Sequence, residues 1–412
     1  MASQLDEYDR VVADALRRSR SIAPIATGLT ASIDQLYRMS QERVDALRDA
    51  CHDGDGEAAE LARTIVTRIR DGRGGEIVRL WAAGSSWIRE CLGPPDVEQT
   101  GGNAAQVSWS LASLGAPTVL ALLDRSPTQL AVLDPAILLA DRAGLTPVSR
   151  ATAEGAPLKQ PHVILEFTAG TLLDGLPLPR STRVMLRFSH EALEADPCFR
   201  THCRSGDVSA VLLSGLATQP SMATDDVRWA TELAGELRAR GAFVHHELSE
   251  FARPTLLREA IGVLPVSSVG MSLSELGSAT GNPADPAAAA ARLAGTVGAG
   301  QVIVHADQWS LIVTTDPSPA TRDALVLANA LAAARATLGR PSDSPFPPRD
   351  AVFTDDLPPS GALGDGWHAV AVPSPYQPRP RATVGLGDTF TAGLLLSQAL
   401  SQPAIPTRKA TL

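Results

Sequence analysis

The feature that most constrains the fold is an alternation of short apolar runs with helical patterns along most of the chain. Several runs are continuous stretches of β-branched residues or leucine, which is typical of strands buried on both faces of a sheet. The segments between them place apolar residues at helical spacing and end at a glycine. This alternation predicts an α/β fold with a doubly wound, mostly parallel sheet. The predicted strands are 22–29, 118–123, 210–216, 243–248, 267–272, 301–306 and 310–315.

Three stretches interrupt the alternation. Residues 38–100 are mostly polar with little strand signal, and the proline-rich residues 340–380 predict an irregular connection. Residues 162–167 and 182–188 indicate a β pair that a parallel core could not accommodate, so we predict a smaller α+β domain built from insertions. The predicted division is 1–37 for an N-terminal helix and first core strand, 38–100 and 161–190 for the two parts of the inserted domain, and 101–160 and 191–412 for the core.

The charge balance excludes some functions. The 412 residues include 45 acidic and 36 basic side chains, for a net charge of −9. This lacks the basic footprint of a nucleic-acid-binding protein. An acidic protein that handles anions must concentrate positive potential locally, at a few arginines or at helix N-termini.

Cysteine usage and hydropathy favour a cytoplasmic protein. The four cysteines include no C-x-x-C pair, and Cys198 and Cys203 around His202 lack a second ligand cluster, so a structural role is expected for them. The N-terminus carries no apolar signal segment. No stretch reaches the ~18 apolar residues of a membrane helix. We therefore expect no membrane partner and no nucleic acid, and a monomer or a small homo-oligomer.

The most informative segment is TVGLGDTFTAGLLLSQAL, residues 383–400. Gly385, Leu386 and Gly387 allow a tight turn whose backbone N–H groups point one way, at the positive end of a helix. Asp388 follows at once, where a carboxylate could act as general base for the attack of a hydroxyl on a phosphate. The alternative is that Asp388 only caps the helix.

Two further segments suggest contacts to hydroxyl groups. In TGGNAAQ, Gly101 and Gly102 could bring the backbone close to a ligand, and Asn103 could hydrogen-bond it. The alternative is a glycine turn with an asparagine cap. In GLTASIDQLY, Asp34 follows a strand-like run, and a carboxylate at the end of a strand can accept two sugar hydroxyls.

In chain order, these segments resemble the motifs of the ribokinase-like superfamily of sugar kinases, specifically its ADP-dependent glucokinase and phosphofructokinase branch. Other segments follow the same order: lid strands in HVILEF and VMLRF, an LSG strand in AVLLSGL, H-x-E in VHHEL, N-x-x-E in SLSE, and a strand pair in QVIVHADQWSLIV. The resemblance implies a ribokinase-like, Rossmann-like doubly wound α/β fold with a smaller inserted α+β lid domain.

The resemblance also implies an activity of carbohydrate metabolism and glycolysis. A phosphoryl group would pass from ADP, with Mg²⁺, to a hydroxyl of a sugar or sugar-like molecule, and AMP would leave. Asp388 would be the catalytic base, and the turn of Gly385, Leu386 and Gly387 would bind phosphate. Arg187, on the second lid strand, would clamp a phosphate; a surface ion pair is the alternative.

The acceptor and the metal would have their own residues. Asp34, Ser32, Gly101, Gly102 and Asn103 would bind the sugar-like acceptor. The H-x-E and N-x-x-E segments would supply the metal-positioning residues, Glu247 beside His245 and Glu275, each acting through water; a structural histidine–glutamate pair is the alternative.

The chain departs from the family pattern at several positions. Ser272 replaces the asparagine of N-x-x-E, Leu186 replaces an asparagine before Arg187, and Ser32 replaces a sugar-contacting asparagine. The only lysines are Lys159 and Lys409, so a phosphorylated acceptor such as fructose 6-phosphate would need arginines as its clamp. Two alternatives stay open: an ATP-dependent nucleoside or cyclitol kinase, and a catalytically weak ligand-binding regulator.

Overall fold

The structure is a computed structural model that describes residues 2–52, 56–173, 175–178, 181–205, 208–249, 251, 253–281 and 283–402. Its strands in chain order are β1 (Ile25–Gly28), β2 (Ser32–Arg38), β3 (Gly75–Val78), β4 (Val97–Gly101), β5 (Thr118–Leu120), β6 (Leu138–Asp141), β7 (Gly144–Pro147), β8 (His162–Phe167), β9 (Leu172–Leu173), β10 (Leu176–Pro177), β11 (Thr182–Arg187), β12 (Ala210–Ser214), β13 (Val244–Glu247), β14 (Ser268–Ser272), β15 (Gln301–His305), β16 (Trp309–Thr314), β17 (Gly361–Gly364) and β18 (Trp367–Pro373).

The α-helices in chain order are α1 (Ala2–Arg18), α2 (Gln41–His52), α3 (Glu57–Arg70), α4 (Gly84–Leu92), α5 (Asn103–Ser113), α6 (Pro127–Val132), α7 (Pro197–Ser205), α8 (Asp225–Ala239), α9 (Pro254–Val263), α10 (Leu273–Thr280), α11 (Pro286–Val297), α12 (Pro319–Leu338) and α13 (Leu386–Ser401). No helix in the described ranges combines the length and apolar character needed to cross a bilayer.

The large sheet has eleven strands in the order β17-β18-β16-β15-β14-β13-β12-β1-β5-β6-β7. Its centre, from β15 to β6, is parallel throughout. The outer strands β16, β17, β18 and β7 run antiparallel to their neighbours. Each of the seven predicted strands is present, and the predicted mostly parallel α/β sheet is confirmed.

Helices cover both faces of this sheet because neighbouring residues of its central strands point in opposite directions. On β12, Val211 and Leu213 pack with α7 to α11, whereas Ala210 and Leu212 pack with α1, α5, α12 and α13. The central strands are therefore apolar on both sides, which explains their continuous hydrophobic runs. The helices that carry Asn103 and Asp388 share one face.

A second sheet of five strands, in the order β3-β11-β8-β2-β4, forms the smaller α+β unit. β8 and β11 form the predicted pair, and they run antiparallel. The segment 38–100, predicted with little strand signal, contributes β3 and β4. Both are edge strands of this sheet, and a strand with one neighbour needs less apolar sequence than a central one.

Two sequence interpretations need correction. The segment 1–37 was expected to carry a single core strand, but β1 ends at Gly28 and β2, which bears Asp34, belongs to the small sheet. The segment 340–380 was expected to be irregular, but it includes the hairpin of β17 and β18. Asp365 and Gly366 connect these strands with φ values of 50° and 79°. An Asp-Gly pair between two strands is a hairpin signal that the surrounding prolines obscured.

Candidate active site

A cavity of about 330 Å³ lies between the two sheets. Thr30, Thr218 and Ser249 line it just beyond the carboxyl ends of β1, β12 and β13, and the small sheet contributes side chains from the opposite side. Ligands of open α/β sheets bind at this edge. Six residues predicted for the site line the cavity: Asp34, Gly102, Asn103, Arg187, Gly385 and Asp388. Six others do not: Ser32, Gly101, Leu386, Gly387, Glu247 and Glu275.

Asp388 stands in the first turn of α13. Gly385 occupies the N-cap position with a φ of 73°, a conformation that favours glycine, and the helix proper begins at Leu386. The alternative that Asp388 only caps the helix is therefore wrong, because Gly385 holds that position. A carboxylate in the first helical turn faces free N–H groups and the positive end of the helix dipole.

Asn103 holds the carboxylate of Asp388 in place. Its Nδ2 atom donates a hydrogen bond to Asp388 Oδ1 at 2.7 Å. Asn103 is the first residue of α5, with Gly102 as the N-cap, so the asparagine is not the cap either. This bond joins the first turns of two helices that meet at the cavity.

The environment of Asp388 shifts the pKa of its carboxyl group toward neutral pH. Burial disfavours the charged form and raises the pKa of Asp388 to about 6. The hydrogen bond from Asn103 and the charge of Arg335 oppose this shift, while the charges of Glu247 and Asp34 add to it. A carboxyl group with a pKa near 6 is ionised at neutral pH and is basic enough to accept a proton.

The glycines before Asn103 make room for neighbouring groups. Gly102 has a φ of 81°, and a Cβ atom there would lie 3.0 Å from the backbone of Ala31. A Cβ atom on Gly101 would lie 1.9 Å from Asp34 Oδ1. Gly101 therefore accommodates the carboxylate of Asp34 and does not itself line the cavity.

A buried histidine that the sequence interpretation missed holds Asp34. His162 Nδ1 lies 3.4 Å from Asp34 Oδ1 and 3.3 Å from Ser32 Oγ, and its Nε2 makes a very short contact with Glu191. Burial disfavours the imidazolium, but the charges of Glu191 and Asp34 more than offset it and raise the pKa of His162 to about 10. Ser32 therefore contacts His162, the residue that holds Asp34, and does not line the cavity itself.

Arg187 is buried in the cavity wall. The alternative that it forms an ion pair on the protein surface is therefore wrong. It makes a close ion pair with Glu76, which also lines the cavity. Burial raises the pKa of Glu76, although Arg187 opposes the shift. Arg183 lies four residues before Arg187 on β11 and also lines the cavity. Its Nη1 atom donates a hydrogen bond to the backbone oxygen of Thr383 at 3.0 Å.

Glu247 lies at the end of β13, outside the cavity lining. Its Oε2 accepts from His245 Nε2 at 2.9 Å and its Oε1 from His305 Nε2 at 3.3 Å. Burial opposes ionisation, but the two imidazoles outweigh it and lower the pKa of Glu247 to about 2. A Cβ atom on Gly387 would lie 3.3 Å from the ring of His305, so this network reaches the GLGD turn.

Glu275 forms a capping box with Ser272 at the start of α10. The serine hydroxyl accepts from the Glu275 N–H at 3.3 Å, and Glu275 Oε2 accepts from the Ser272 N–H at 2.6 Å. The serine that replaces the family asparagine is therefore engaged as a helix cap. Burial raises the pKa of Glu275.

The acidic groups fit a magnesium ion only through water. Among the described residues, no group of three or more His, Cys, Asp or Glu side chains is arranged to bind a metal directly. Cys198, His202 and Cys203 of α7 are among the described residues and form no such group. Mg²⁺ prefers oxygen ligands and keeps several of its waters, so the carboxylate oxygens of Glu247 and Glu275 are suited to the outer shell of such an ion, and the low pKa of Glu247 keeps that group anionic.

The lysines supply no cation to the cavity from the described ranges. Lys159 Nζ pairs with Glu194 Oε1 at 2.7 Å, and both side chains are buried away from the cavity lining. Lys409 lies outside the described residues. Arginine, together with the imidazolium of His162, therefore brings positive charge to the cavity.

Comparison with known proteins relates this site to one family. The family model described as the ADP-specific phosphofructokinase/glucokinase conserved region matches residues 24–346. An ADP-specific phosphofructokinase of Pyrococcus abyssi is 25% identical over 441 aligned positions, which cover 90% of this chain and 96% of the relative.

Solved structures share the fold. An ADP-dependent kinase in complex with fructose 6-phosphate and ADPβS has a TM-score of 0.78 at 18% identity, covering 97% of this chain and 99% of its own. A hypothetical ADP-dependent phosphofructokinase of Pyrococcus horikoshii has a TM-score of 0.74 at 18% identity, and the match covers 92% of this chain and 98% of the other. The chain thus shares the fold of these structures over nearly its whole length. Since the family model spans more than half of the sequence, the chain belongs to the ADP-specific phosphofructokinase/glucokinase family.

Proposed function

We propose that the protein transfers a phosphoryl group from ADP to a hydroxyl group of a sugar or sugar-like molecule and releases AMP. The observation that carries this proposal is the placement of Asp388. Its carboxylate lines the cavity beside the GLGD turn, is held by Asn103, and has a pKa near neutral pH. Membership of the family makes ADP the expected donor.

In the proposed mechanism, the oxygen of the acceptor hydroxyl attacks the β-phosphorus of ADP and AMP leaves. Asp388 accepts the proton of that hydroxyl during the attack. The N–H groups of the Gly385–Gly387 turn and the dipole of α13 offset charge on the transferring phosphoryl group. When the small sheet lies close, Arg187 adds positive charge from the opposite wall. These residues act by position and electrostatics, which is how phosphoryl transfer is generally catalysed.

Bound magnesium would neutralise charge on the phosphates of the nucleotide. Glu247 and Glu275 would hold its water ligands. Glu247 suits that role because its low pKa keeps it anionic across the physiological range. Its two imidazole partners fix the direction of its carboxylate.

Asp34 would bind the acceptor through sugar hydroxyls, with its carboxylate oriented by His162. The acceptor is either a neutral sugar or a sugar phosphate, and two arginines bear on this choice. The charge of Arg187 is partly offset by Glu76, whose pKa burial raises, whereas Arg183 makes no ion pair with any residue of the described ranges. Arg183 is therefore the proposed clamp for a phosphate on the acceptor.

The small sheet, with α2 to α4, would close over the bound acceptor as a lid. Closure would exclude water and limit hydrolysis of the nucleotide. Small-angle scattering at saturating acceptor and nucleotide should show a smaller radius of gyration than the ligand-free protein. An unchanged radius would contradict closure.

The decisive experiment compares donors and acceptors side by side. Purified protein is incubated with Mg²⁺, either ADP or ATP, and a panel of neutral sugars, sugar phosphates, nucleosides and cyclitols, and AMP or ADP release is measured. Preference for ADP with a sugar-type acceptor supports the proposal. Preference for ATP with a nucleoside or cyclitol would favour the alternative kinase, and ligand binding without turnover would favour a regulator.

The Arg183→Met variant separates the two acceptor classes. Loss of a phosphate-binding arginine should raise KM for a sugar phosphate by at least tenfold. KM for a neutral sugar should change little. Equal effects on both acceptors would contradict a clamp at Arg183.

A further inference from the structure

The largest fully buried side chain of the described residues is a cation that the mechanism above does not use. Arg335, on α12, is 1% exposed. Its Nη1 donates to Thr389 Oγ1 at 2.9 Å and its Nη2 to Gln106 Oε1 at 2.7 Å. The guanidinium also lies 5.4 Å from the ring centre of Trp109.

All of these partners are neutral. Arg335 makes no ion pair within the described ranges, and its Nε atom is buried without a hydrogen-bond acceptor. Burial lowers the pKa of Arg335 to about 10, while Asp388 and Asp34 act against the shift from a distance. A buried charge without a counter-ion is costly, so a sequence that retains one needs a reason beyond packing.

The position of the guanidinium supplies that reason. A Cβ atom on Gly385 would lie 2.2 Å from Nη2 and 2.3 Å from Cζ, so the turn backbone rests directly on the cation. Gly385 and Gln106 line the cavity and Arg335 does not. The positive charge therefore lies one backbone layer behind the wall that would receive the phosphate.

The two hydrogen bonds also connect the helices of the site. Gln106 is the fourth residue of α5, whose first residue is Asn103. Thr389 follows Asp388 in the first turn of α13. One guanidinium thus holds both helix starts, and with them the Asn103–Asp388 hydrogen bond.

We propose that Arg335 is a positioning residue for phosphoryl transfer, which fixes the starts of α5 and α13 and supplies positive potential to the phosphate site through the Gly385 backbone. This inference rests on the proposed function, because it takes the Gly385–Gly387 turn as the phosphate site. Asp388 lies within reach of four charges: Arg335 and His305, which stabilise its anion, and Glu247 and Asp34, which oppose it.

The test uses Arg335→Met, which removes the charge, and Arg335→Lys, which keeps it without the planar fork. Arg322→Met is the matched control, since Arg322 is an exposed arginine of the same helix that pairs with Glu7. For Arg335→Met we expect kcat to fall by roughly ten- to a hundredfold, less than for a donor that touches the reacting group. KM for the acceptor should stay within about threefold of the wild type, because Arg335 does not line the cavity.

A second readout needs no substrate. Titration of ligand-free protein with ¹³C-labelled aspartate, followed by NMR, should show the Asp388 pKa about one unit higher in Arg335→Met. In Arg335→Lys the Asp388 pKa should stay near the wild-type value, and kcat should recover at least partly. Arg322→Met should change neither quantity.

The outcomes separate this inference from the proposed function. Wild-type turnover with ADP, combined with an Arg335→Met variant of normal kcat and normal Asp388 pKa, would overturn the inference alone. A wild type without kinase activity would overturn the proposed function, whatever the titration shows. If Arg335→Met does not fold, Thr389→Val removes the hydrogen bonds of Thr389 Oγ1 to Arg335 and to Ser110 and keeps the charge, and Ser110→Ala, which removes only the second bond, is its control. In Thr389→Val, but not in Ser110→Ala, kcat should then fall severalfold with an unchanged Asp388 pKa, and a normal kcat in Thr389→Val would overturn the positioning role.

Discussion

One half-buried and one fully buried carboxylate at the same edge of the large sheet behave in opposite ways. Asp388, at the start of α13, has a pKa raised by burial to about 6. Glu247, at the end of β13, is buried as well, yet its imidazole partners lower its pKa to about 2. Burial alone would raise both values, so the difference comes from the partners.

The partners differ in number and in charge. Asp388 receives one neutral amide hydrogen bond from Asn103, and the charge of Arg335 acts on it from behind the turn. Glu247 receives an imidazole donor on each oxygen, from His245 and His305. The first environment suits a group that gains and loses a proton near neutral pH, and the second suits a group that stays charged. Four predictions test this contrast.

The largest effect is expected for Asp388→Asn on turnover. The amide cannot accept the proton, so kcat should fall by about 10²–10⁴-fold. ADP affinity should change little, because the backbone donors of the turn remain. Asp316→Asn, at an exposed position, is the control. A folded Asp388→Asn variant with near-normal kcat would refute the base assignment.

The two carboxylates should also respond oppositely in stability. Glu247 has a folded-state pKa below its usual value, so its charge stabilises the fold above pH 4.5 and this contribution is lost as pH falls toward 2. Glu247→Gln should therefore lower the free energy of unfolding at pH 7 by about 3 kcal/mol.

Asp388 has a raised pKa, so its ionised form costs stability above its ordinary pKa of 3.8. Asp388→Asn should then raise the free energy of unfolding at pH 7 by about 3 kcal/mol. Chemical denaturation gives the free energy of unfolding of both variants, and Glu259→Gln, at an exposed position, is the control. Shifts of the same sign in the two variants would break the comparison.

The pH dependence of turnover should report Asp388 and not Glu247. The base must be ionised, so kcat should fall tenfold per pH unit below about 6 and level off above it. Glu247 stays charged throughout that range and should contribute no inflection. A profile that is flat from pH 5 to 8 would argue against Asp388 as the titrating group.

The smallest effect is expected for Asn103→Ala. The amide hydrogen bond lowers the pKa of Asp388, so its loss should raise that pKa by about half a unit. The inflection in kcat should move to higher pH by the same amount, and kcat at pH 7 should fall about threefold or more as the carboxylate loses its orientation. Asn103→Asp would place a second negative charge there and should raise the pKa further.

Much of the fold follows from local sequence pattern. Buried parallel strands need apolar residues on both faces, and all seven such runs were predictable. Strands β3 and β4 were missed because edge strands require little hydrophobic sequence, and the β17–β18 hairpin was missed because the surrounding prolines obscured its Asp-Gly turn. Asp34 was assigned to the core although β2 belongs to the small sheet, since a strand does not reveal in its own residues which sheet it joins.

Of the site, the sequence by itself determined the GLGD turn, the TGGN turn and Asp34, because glycines that must adopt unusual conformations and polar residues at element ends are local features. Only the tertiary structure decided what surrounds them. It placed His162 against Asp34, His305 against Glu247 in addition to the neighbouring His245, and Arg335 beneath Gly385. These contacts join residues from distant parts of the chain, and it is such contacts, together with burial, that determine whether a carboxylate is a base or a permanent charge.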